Sequence, residues 1–151
     1  MPKGALYFGK AAITFNLNKV PGPKEEPVFF DFFGTDVANL IINGKQVASL
    51  AVGSFFRDGK IILDSSLLQV GLNKVTIELI NNYRNDGYGI HSFTDKVDLN
   101  QYLYTQFEPN YCHYVFPSFD QPDIRAKWSL TTLAPKEWSV ISNEYEDKAQ
   151  T

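Results

Sequence analysis

Two histidines and a single cysteine are the residues of this 151-residue chain that best suit a metal site or a nucleophile. Hydrolytic zinc sites often carry two histidines in a His-Glu-x-x-His helix, and that motif is absent. Cys112 and His113 are neighbours, so on a strand their side chains would point to opposite faces. Cys112 with His91 as its base is one hypothesis; a buried core thiol is the other, since free cysteine is often buried. The residue chemistry predicts no metal site and no self-contained active site.

A denser set of special residues runs from position 89 to position 143. Thr-Gln-Phe-Glu-Pro occupies 105–109, and Phe-Pro-Ser-Phe-Asp-Gln-Pro occupies 116–122. Gly-Ile-His-Ser-Phe at 89–93 precedes these motifs, and Ser142-Asn143 follows them. With their spacing, the motifs resemble the amino-terminal domain of the aminopeptidase N family of zinc metallopeptidases. That family includes the membrane-alanyl, puromycin-sensitive and bacterial lysyl aminopeptidases.

This resemblance implies roles for two residues in the removal of an amino-terminal residue from a peptide. Glu108 occupies the position whose carboxylate holds the free ammonium group of the substrate, and Gln106 occupies a position that lines the pocket for the first side chain. An ion pair in a closed site is far stronger than one in water. On a strand, residues 106 and 108 would point to the same face and reach one cleft. From composition alone, Glu108 would instead be a solvated carboxylate at a strand end.

Three positions depart from the family pattern. Cys112-His113 replaces the usual Ala-Arg, Ser118 replaces a cysteine, and Gln121 replaces a glutamate before proline. Exchange of cysteine for serine is a mild change. His113 in place of arginine is expected to weaken a charge-assisted contact within the domain.

The same resemblance implies that the catalytic parts lie downstream of this domain. A single domain over 1–151 is predicted, truncated at its carboxyl end, with zinc in the complete enzyme and no cofactor in this chain. Without zinc there is no activated water, so the chain alone should be inactive. Its expected partners are a peptide amino terminus, in the complete enzyme only, and a catalytic domain or another subunit.

Two other hypotheses stay open. The chain could be a naturally short, non-catalytic paralogue that acts as a binding or assembly subunit. It could also be an unrelated carbohydrate- or protein-binding sandwich, because one fold hosts many functions. The last hypothesis predicts an exposed aromatic platform on a loop, with Gln106 and Glu108 away from any interface.

In the segments that must position these residues, apolar and polar residues alternate with a period of two, which is typical of strands. Asn43-Gly44 and Asp58-Gly59 indicate tight turns. The fold class predicted is all-β, an antiparallel β-sandwich or a pair of saddle-like curved sheets, incomplete at the carboxyl end. Strands are predicted over 11–17, 28–33 (buried on both faces), 39–47 around its turn, 73–81, 102–107 and 126–133, and short helices over 65–70 and 109–114.

Several residues in this pattern are predicted to be structural. Phe116, Phe119 and Trp128 are expected to anchor the core, since large aromatic side chains dominate core packing. Asp120 is expected to cap a turn or to pair with Arg125.

Charge and composition exclude some functions. The formal net charge is −3, which is unlike the basic surface of an electrostatic nucleic-acid binder. No apolar run is long enough for a membrane span, and no signal-peptide core follows the first residues. One cysteine cannot form an internal disulfide. No nucleic-acid or membrane partner is therefore predicted, and the expected location is cytoplasmic.

Overall fold

A computed structural model of the protein describes residues 6–47 and 55–144. The described chain forms antiparallel strands and two single-turn 3-10 helices, which confirms the all-β prediction. Strands form where apolar and polar residues alternate, because successive side chains of a strand point to opposite faces. The strands are β1 Leu6–Leu17, β2 Phe29–Asp31, β3 Asp36–Ile42, β4 Lys45–Gln46, β5 Phe56–Arg57, β6 Lys60–Ile62, β7 Gly71–Asn82, β8 Gly89–Thr94 and β9 Gln101–Gln106, and the 3-10 helices are Ser65–Leu67 and Cys112–Tyr114.

The strands form three sheets. The largest has the strand order β1-β7-β3-β4, the second has the order β2-β6-β5, and the third is the hairpin β8-β9. The longest pairing joins β1 to β7 over twelve residues, from Leu6 opposite Asn82 to Leu17 opposite Gly71. This order leaves β1 at one edge of the largest sheet.

One hydrophobic core joins the two larger sheets. Val75, Ile77 and Leu79 of β7 are all buried on one face, as the alternation predicts. They cluster with Phe30 of the second sheet. Phe119 packs against the same cluster with its ring centroid 4.6 Å from that of Phe30, which confirms it as a core anchor.

Both predicted tight turns are confirmed. Asn43 and Gly44 have φ angles of 49° and 80° between β3 and β4. Asp58 and Gly59 have φ angles of 53° and 72° between β5 and β6. Positive φ at two consecutive residues matches the twist of the flanking antiparallel strands.

Asn73 of β7 is a fully buried polar residue that ties β7 to Gln69, which follows the first 3-10 helix, and to Asn43 in the turn between β3 and β4. Its side-chain oxygen accepts hydrogen bonds from the Gln69 backbone N–H (3.0 Å) and from the Asn43 side-chain amide (2.9 Å). Its side-chain nitrogen donates to the carbonyls of Gln69 (2.7 Å) and Gly71 (2.9 Å). All four of its hydrogen-bonding positions are satisfied, so its burial carries no unpaired polar group.

The predicted strand over 126–133 is wrong. These residues have no regular secondary structure, although their apolar residues alternate. Trp128 is 63% exposed and Leu130 is 59% exposed, so Trp128 is not the core anchor that the sequence predicts. Phe116, the other predicted anchor, is half-buried and has its ring centroid 4.5 Å from that of Trp128. A strand needs a neighbour for its backbone hydrogen bonds, and within 6–47 and 55–144 none pairs with this segment.

Two shorter predictions need smaller corrections. Only one face of 28–33 is buried: Phe30 and Phe32 are fully buried, whereas Phe33 is 52% exposed. The predicted helices over 65–70 and 109–114 each shrink to a single 3-10 turn. A helix this short has no stable nucleus of its own and depends on tertiary contacts.

Candidate functional site

The hairpin β8-β9 carries the predicted site residue Gln106 at the end that lies against the rest of the fold. Its register runs from Gly89 opposite Gln106 to Thr94 opposite Gln101. Gly89 has a φ of 65°, and a Cβ atom there would lie 3.1 Å from the Cβ of Tyr114. Glycine is favoured by both the dihedral angle and the close approach. The base of the hairpin can therefore lie next to the second 3-10 helix.

One face of this hairpin is aromatic. His91 lies opposite Tyr104 with ring centroids 4.9 Å apart, and Phe93 lies opposite Tyr102 with centroids 5.3 Å apart. Phe93, Tyr102 and Tyr104 are 40–46% exposed. Gln106 follows in the same alternation and so lies on the same side of β9. We call these four aromatic side chains the aromatic face.

None of the sequence motifs predicts the aromatic face, although the sequence contains a signal for it. Aromatic residues alternate on both sides of the turn at 95–100, which is typical of facing positions in a hairpin.

Both predicted substrate-binding residues are exposed. Gln106 is the last residue of β9, whereas Glu108 lies two residues beyond the end of that strand. Glu108 therefore does not share a strand face with Gln106, because the strand has already ended. Within the described residues, the Glu108 carboxylate has no hydrogen bond and no ion pair inside the domain. A ligand can therefore reach it without first displacing an internal partner.

The turn that contains Glu108 is held by a backbone hydrogen bond and by an aromatic contact. The Tyr111 backbone N–H donates to the Phe107 carbonyl at 2.7 Å and closes the turn around Glu108. The Phe107 ring packs edge-on against Phe116 with centroids 5.7 Å apart. Glu108 thus projects from a turn fixed by one short backbone bond and one aromatic contact.

Side chains from the main sheet hold the end of the second 3-10 helix, which follows this turn. The Tyr7 hydroxyl of β1 donates to the Val115 carbonyl at 2.9 Å. The Asn81 side-chain amide of β7 donates to the Tyr114 carbonyl at 2.7 Å and to the Tyr7 hydroxyl at 3.0 Å. Burial raises the pKa of Tyr7 to about 12, so this hydroxyl stays protonated as a donor. No sequence motif signals this network, because its members are far apart in the chain.

His113 and Asp120 form an ion pair when the imidazole is protonated. The Asp120 carboxylate contacts His113 Nδ1 and also accepts from the His113 backbone N–H at 3.3 Å. Burial opposes the charged carboxylate, but hydrogen bonds from Cys112 and His113 outweigh it and lower the pKa of Asp120. The expected pair of Asp120 with Arg125 is therefore wrong: the carboxylate turns to the nearer imidazole. His113 contacts the Asp120 carboxylate at the position where the family has arginine.

Cys112 is neither a core thiol nor an activated nucleophile. It is half-buried, and its Sγ lies 3.3 Å from the Ser118 hydroxyl. Burial, with a hydrogen bond to the Asp120 carboxylate, raises the pKa of the Cys112 thiol to about 11. A catalytic cysteine needs the opposite shift. His91, its hypothetical base, accepts at Nδ1 from the Gly87 backbone N–H at 2.9 Å.

Comparisons with known proteins define the class of domain. Residues 6–151 match the model of the Peptidase M1 N-terminal domain. Aminopeptidase N of Streptomyces lividans is 35% identical over 141 residues, which cover 93% of this chain and 15% of that protein. Aminopeptidase 2 of Candida albicans is 24% identical over 142 residues, with coverage of 93% and 15%. The chain belongs to the Peptidase M1 N-terminal domain family, which confirms the resemblance in the motifs.

This chain spans only about 15% of the length of these two relatives. M1 family aminopeptidases are zinc enzymes. In the part of the chain that the structure describes, no three His, Cys, Asp or Glu side chains lie close enough to hold a metal ion. These residues therefore do not fit the ligand set of a zinc site.

Over the ranges 6–47 and 55–144, no helix has the length and apolar character needed to cross a bilayer.

Proposed function

We propose that this chain is the part of a zinc aminopeptidase that binds the free amine of a peptide substrate and docks on the catalytic domain. Glu108 supplies a carboxylate to the substrate ammonium group, and Gln106 lines the pocket for the first side chain. The observation that carries this proposal is the exposed Glu108 carboxylate, which has no partner within 6–47 and 55–144, on an anchored turn beside Gln106. Selection for a free amine makes the enzyme an exopeptidase.

The strength of the ion pair between the Glu108 carboxylate and the substrate ammonium group depends on closure of the site. An exposed ion pair is worth at most ~1 kcal/mol in water, which gives no useful affinity for a peptide. Enclosed by a catalytic domain, the same pair becomes much stronger because the effective dielectric falls. The turn around Glu108 therefore acts as one wall of a site whose other wall comes from the docked domain.

The aromatic face supports the docking part of the proposal. An isolated two-stranded hairpin is marginally stable in water, and exposed aromatic clusters often mark protein contacts. The aromatic face lies on the Gln106 side of the hairpin. A catalytic domain that covers it would also close over Gln106.

Glu108→Gln in the complete enzyme tests the amine contact, because glutamine keeps the shape of the side chain and removes its charge. Loss of one partner of an enclosed ion pair costs ~3–5 kcal/mol, so kcat/KM for aminoacyl reporters should fall at least about 100-fold. Glu26→Gln is the matched control, since Glu26 is also exposed but lies on the loop before β2. Its kcat/KM should match that of the parent enzyme.

A second substrate separates binding of the amine from a general structural effect. For a reporter in which hydrogen replaces the α-amine, Glu108→Gln and the parent enzyme should have similar rates. An equal loss on both reporters, or no loss on the aminoacyl reporter, would remove Glu108 from the amine site. The isolated 151-residue chain should release no amino acid, with or without added zinc. Zinc-dependent turnover by that chain would contradict the assignment.

A further inference from the structure

The ring of Tyr111 contacts two other tyrosine rings at the turn that carries Glu108. Its centroid lies 4.3 Å from that of Tyr88 and 5.5 Å from that of Tyr114, and the Tyr111 and Tyr114 rings are nearly parallel. Stacked aromatic pairs contribute to stability beyond the apolar area that they bury. We call Tyr88, Tyr111 and Tyr114 the tyrosine stack.

Arg84 and Asp86 fix the two ends of the tyrosine stack. The Arg84 guanidinium lies over the Tyr114 ring, 4.2 Å from its centroid, where a cation is attracted to the electron-rich face of the ring. The Asp86 carboxylate accepts two hydrogen bonds from Arg84, one of them from Nε at 3.0 Å, and it also accepts from the Tyr88 backbone N–H at 3.2 Å. The contacts therefore form a closed ring that begins and ends at Tyr88.

This ring of contacts joins the loop before β8 to the turn that contains Glu108. Tyr88 immediately precedes β8, at the base of the hairpin where the chain leaves β9. The Tyr111 N–H closes the turn on the Phe107 carbonyl at 2.7 Å. The residue that closes the turn is thus the residue whose ring is held by the loop, so a shift of this ring moves the backbone that carries Glu108.

The direction of the Glu108 side chain depends on the backbone of this turn. Within 6–47 and 55–144, no ion pair holds its carboxylate. The hydrogen bonds from Tyr7 and Asn81 hold the second 3-10 helix and do not reach residues 108 to 111. Tyr111 is therefore a residue through which side-chain packing acts on the turn. A displacement near 1 Å of a group that contacts substrate costs up to about 100-fold in rate.

We infer that Tyr111 is a positioning residue for Glu108. Its ring, held by Tyr88 and Tyr114, fixes the direction in which the turn presents the Glu108 carboxylate to the ammonium group of a peptide substrate. The stack acts through the backbone of the turn and requires no contact with the substrate. This inference rests on the proposed function, in which Glu108 binds the substrate amine.

Tyr111→Leu in the complete enzyme tests this role, since leucine keeps an apolar side chain and removes the ring. Its kcat/KM for aminoacyl reporters should fall about 10-fold, because the carboxylate is no longer held in the direction of the amine. Tyr111→Phe keeps the stacked ring and should retain most of the parent activity. For the reporter in which hydrogen replaces the α-amine, Tyr111→Leu and the parent should have similar rates. Equal losses on the two reporters would overturn the inference, because they would show a general structural effect.

A double variant shows whether Tyr111 acts through Glu108. With Glu108→Gln already present, Tyr111→Leu should cause no further loss of kcat/KM, because the charge that the ring positions is gone. Losses that multiply in the double variant would contradict a role that depends on Glu108.

Hydrogen exchange of the Tyr111 amide, followed by NMR, measures the turn directly in the 151-residue chain. In Tyr88→Leu this amide should exchange about 10-fold faster than in the parent chain, while the amides that join β7 to β1 keep their rates and show that the domain remains folded. Phe8→Leu is the matched control, since Phe8 is also an exposed aromatic residue but lies on β1; it should leave the Tyr111 amide unchanged. Equal exchange of this amide in Tyr88→Leu and in the parent would overturn the inference.

Glu108→Gln keeps the two proposals separate. If Glu108→Gln loses activity on the aminoacyl reporter but Tyr111→Leu does not, only the positioning role fails. If Glu108→Gln retains full activity, the proposed function fails, and the positioning role fails with it whatever the exchange rates of the turn.

Discussion

Replacement of Asp120 by asparagine should destabilise the domain by about 2 kcal/mol at pH 7. The carboxylate accepts from the His113 backbone N–H and contacts the His113 ring. The Asp120 and His113 side chains are only 13% and 12% exposed, so solvent screens the contact weakly. A hydrogen bond to a charged group contributes ~1.5–3 kcal/mol. Asparagine keeps one acceptor but loses the charge, so the decrease in the free energy of unfolding should lie near the middle of that range.

The sign of the pH dependence follows from the lowered pKa of Asp120. In the unfolded chain this carboxyl has a pKa of ~3.9, and in the folded domain it releases its proton at lower pH. Its contribution to stability is therefore present above the unfolded value and is lost as the pH falls through the folded value. Below both values the protonated aspartic acid resembles asparagine, so the two proteins should converge in stability.

Urea unfolding at a series of pH values from neutral to acidic measures this difference. Asp123→Asn serves as control, since Asp123 is exposed and three residues away, and it should match the parent protein throughout. No difference between Asp120→Asn and the parent at pH 7 would refute the reasoning. A difference that stays constant down to the acid limit would also refute it, because the charge would then not be its source.

Other expected outcomes concern reactivity and stability. With its pKa near 11, Cys112 should react with iodoacetamide at pH 8 about 200-fold more slowly than an ordinary thiol; a rate like that of free cysteine would contradict the assignment. Asn73→Ala should lower the free energy of unfolding by about 3 kcal/mol, since four buried hydrogen bonds are lost. Gly44→Ala should cost about 1 kcal/mol, because φ is 80°; urea unfolding checks both values.

Local patterns predicted those parts of the fold that depend on near neighbours. The burial of Val75, Ile77 and Leu79 follows from strict alternation, and the hairpin at Asn43 follows from the backbone freedom of two turn residues. The alternation at 126–133 has the same appearance, but a strand also needs a partner edge. A sequence pattern specifies the face of a strand and leaves its neighbour undefined.

In the candidate site, too, the local motif was predictable from the sequence, whereas the contacts between distant residues were not. The motif at 105–109 identified Gln106 and Glu108, and both lie exposed at one end of the hairpin. The partner of Asp120 was predicted wrongly because Arg125 is close in sequence, whereas His113 is brought close by the second 3-10 helix. The hydrogen bonds of Tyr7 and Asn81 to residues 114 and 115 join positions more than thirty residues apart, and they depend on the folded topology.

Tyr7 and Asn81 donate their hydrogen bonds to the main-chain oxygens of residues 115 and 114. Every amino acid carries such an oxygen, so residues 114 and 115 can be substituted while the two hydrogen bonds are kept. Substitution of residue 114 or 115 should therefore preserve these two hydrogen bonds and the position of the second 3-10 helix. Substitution of Asn81 removes a donor, so it should disturb this helix more than substitution of Tyr114, whose carbonyl accepts the bond.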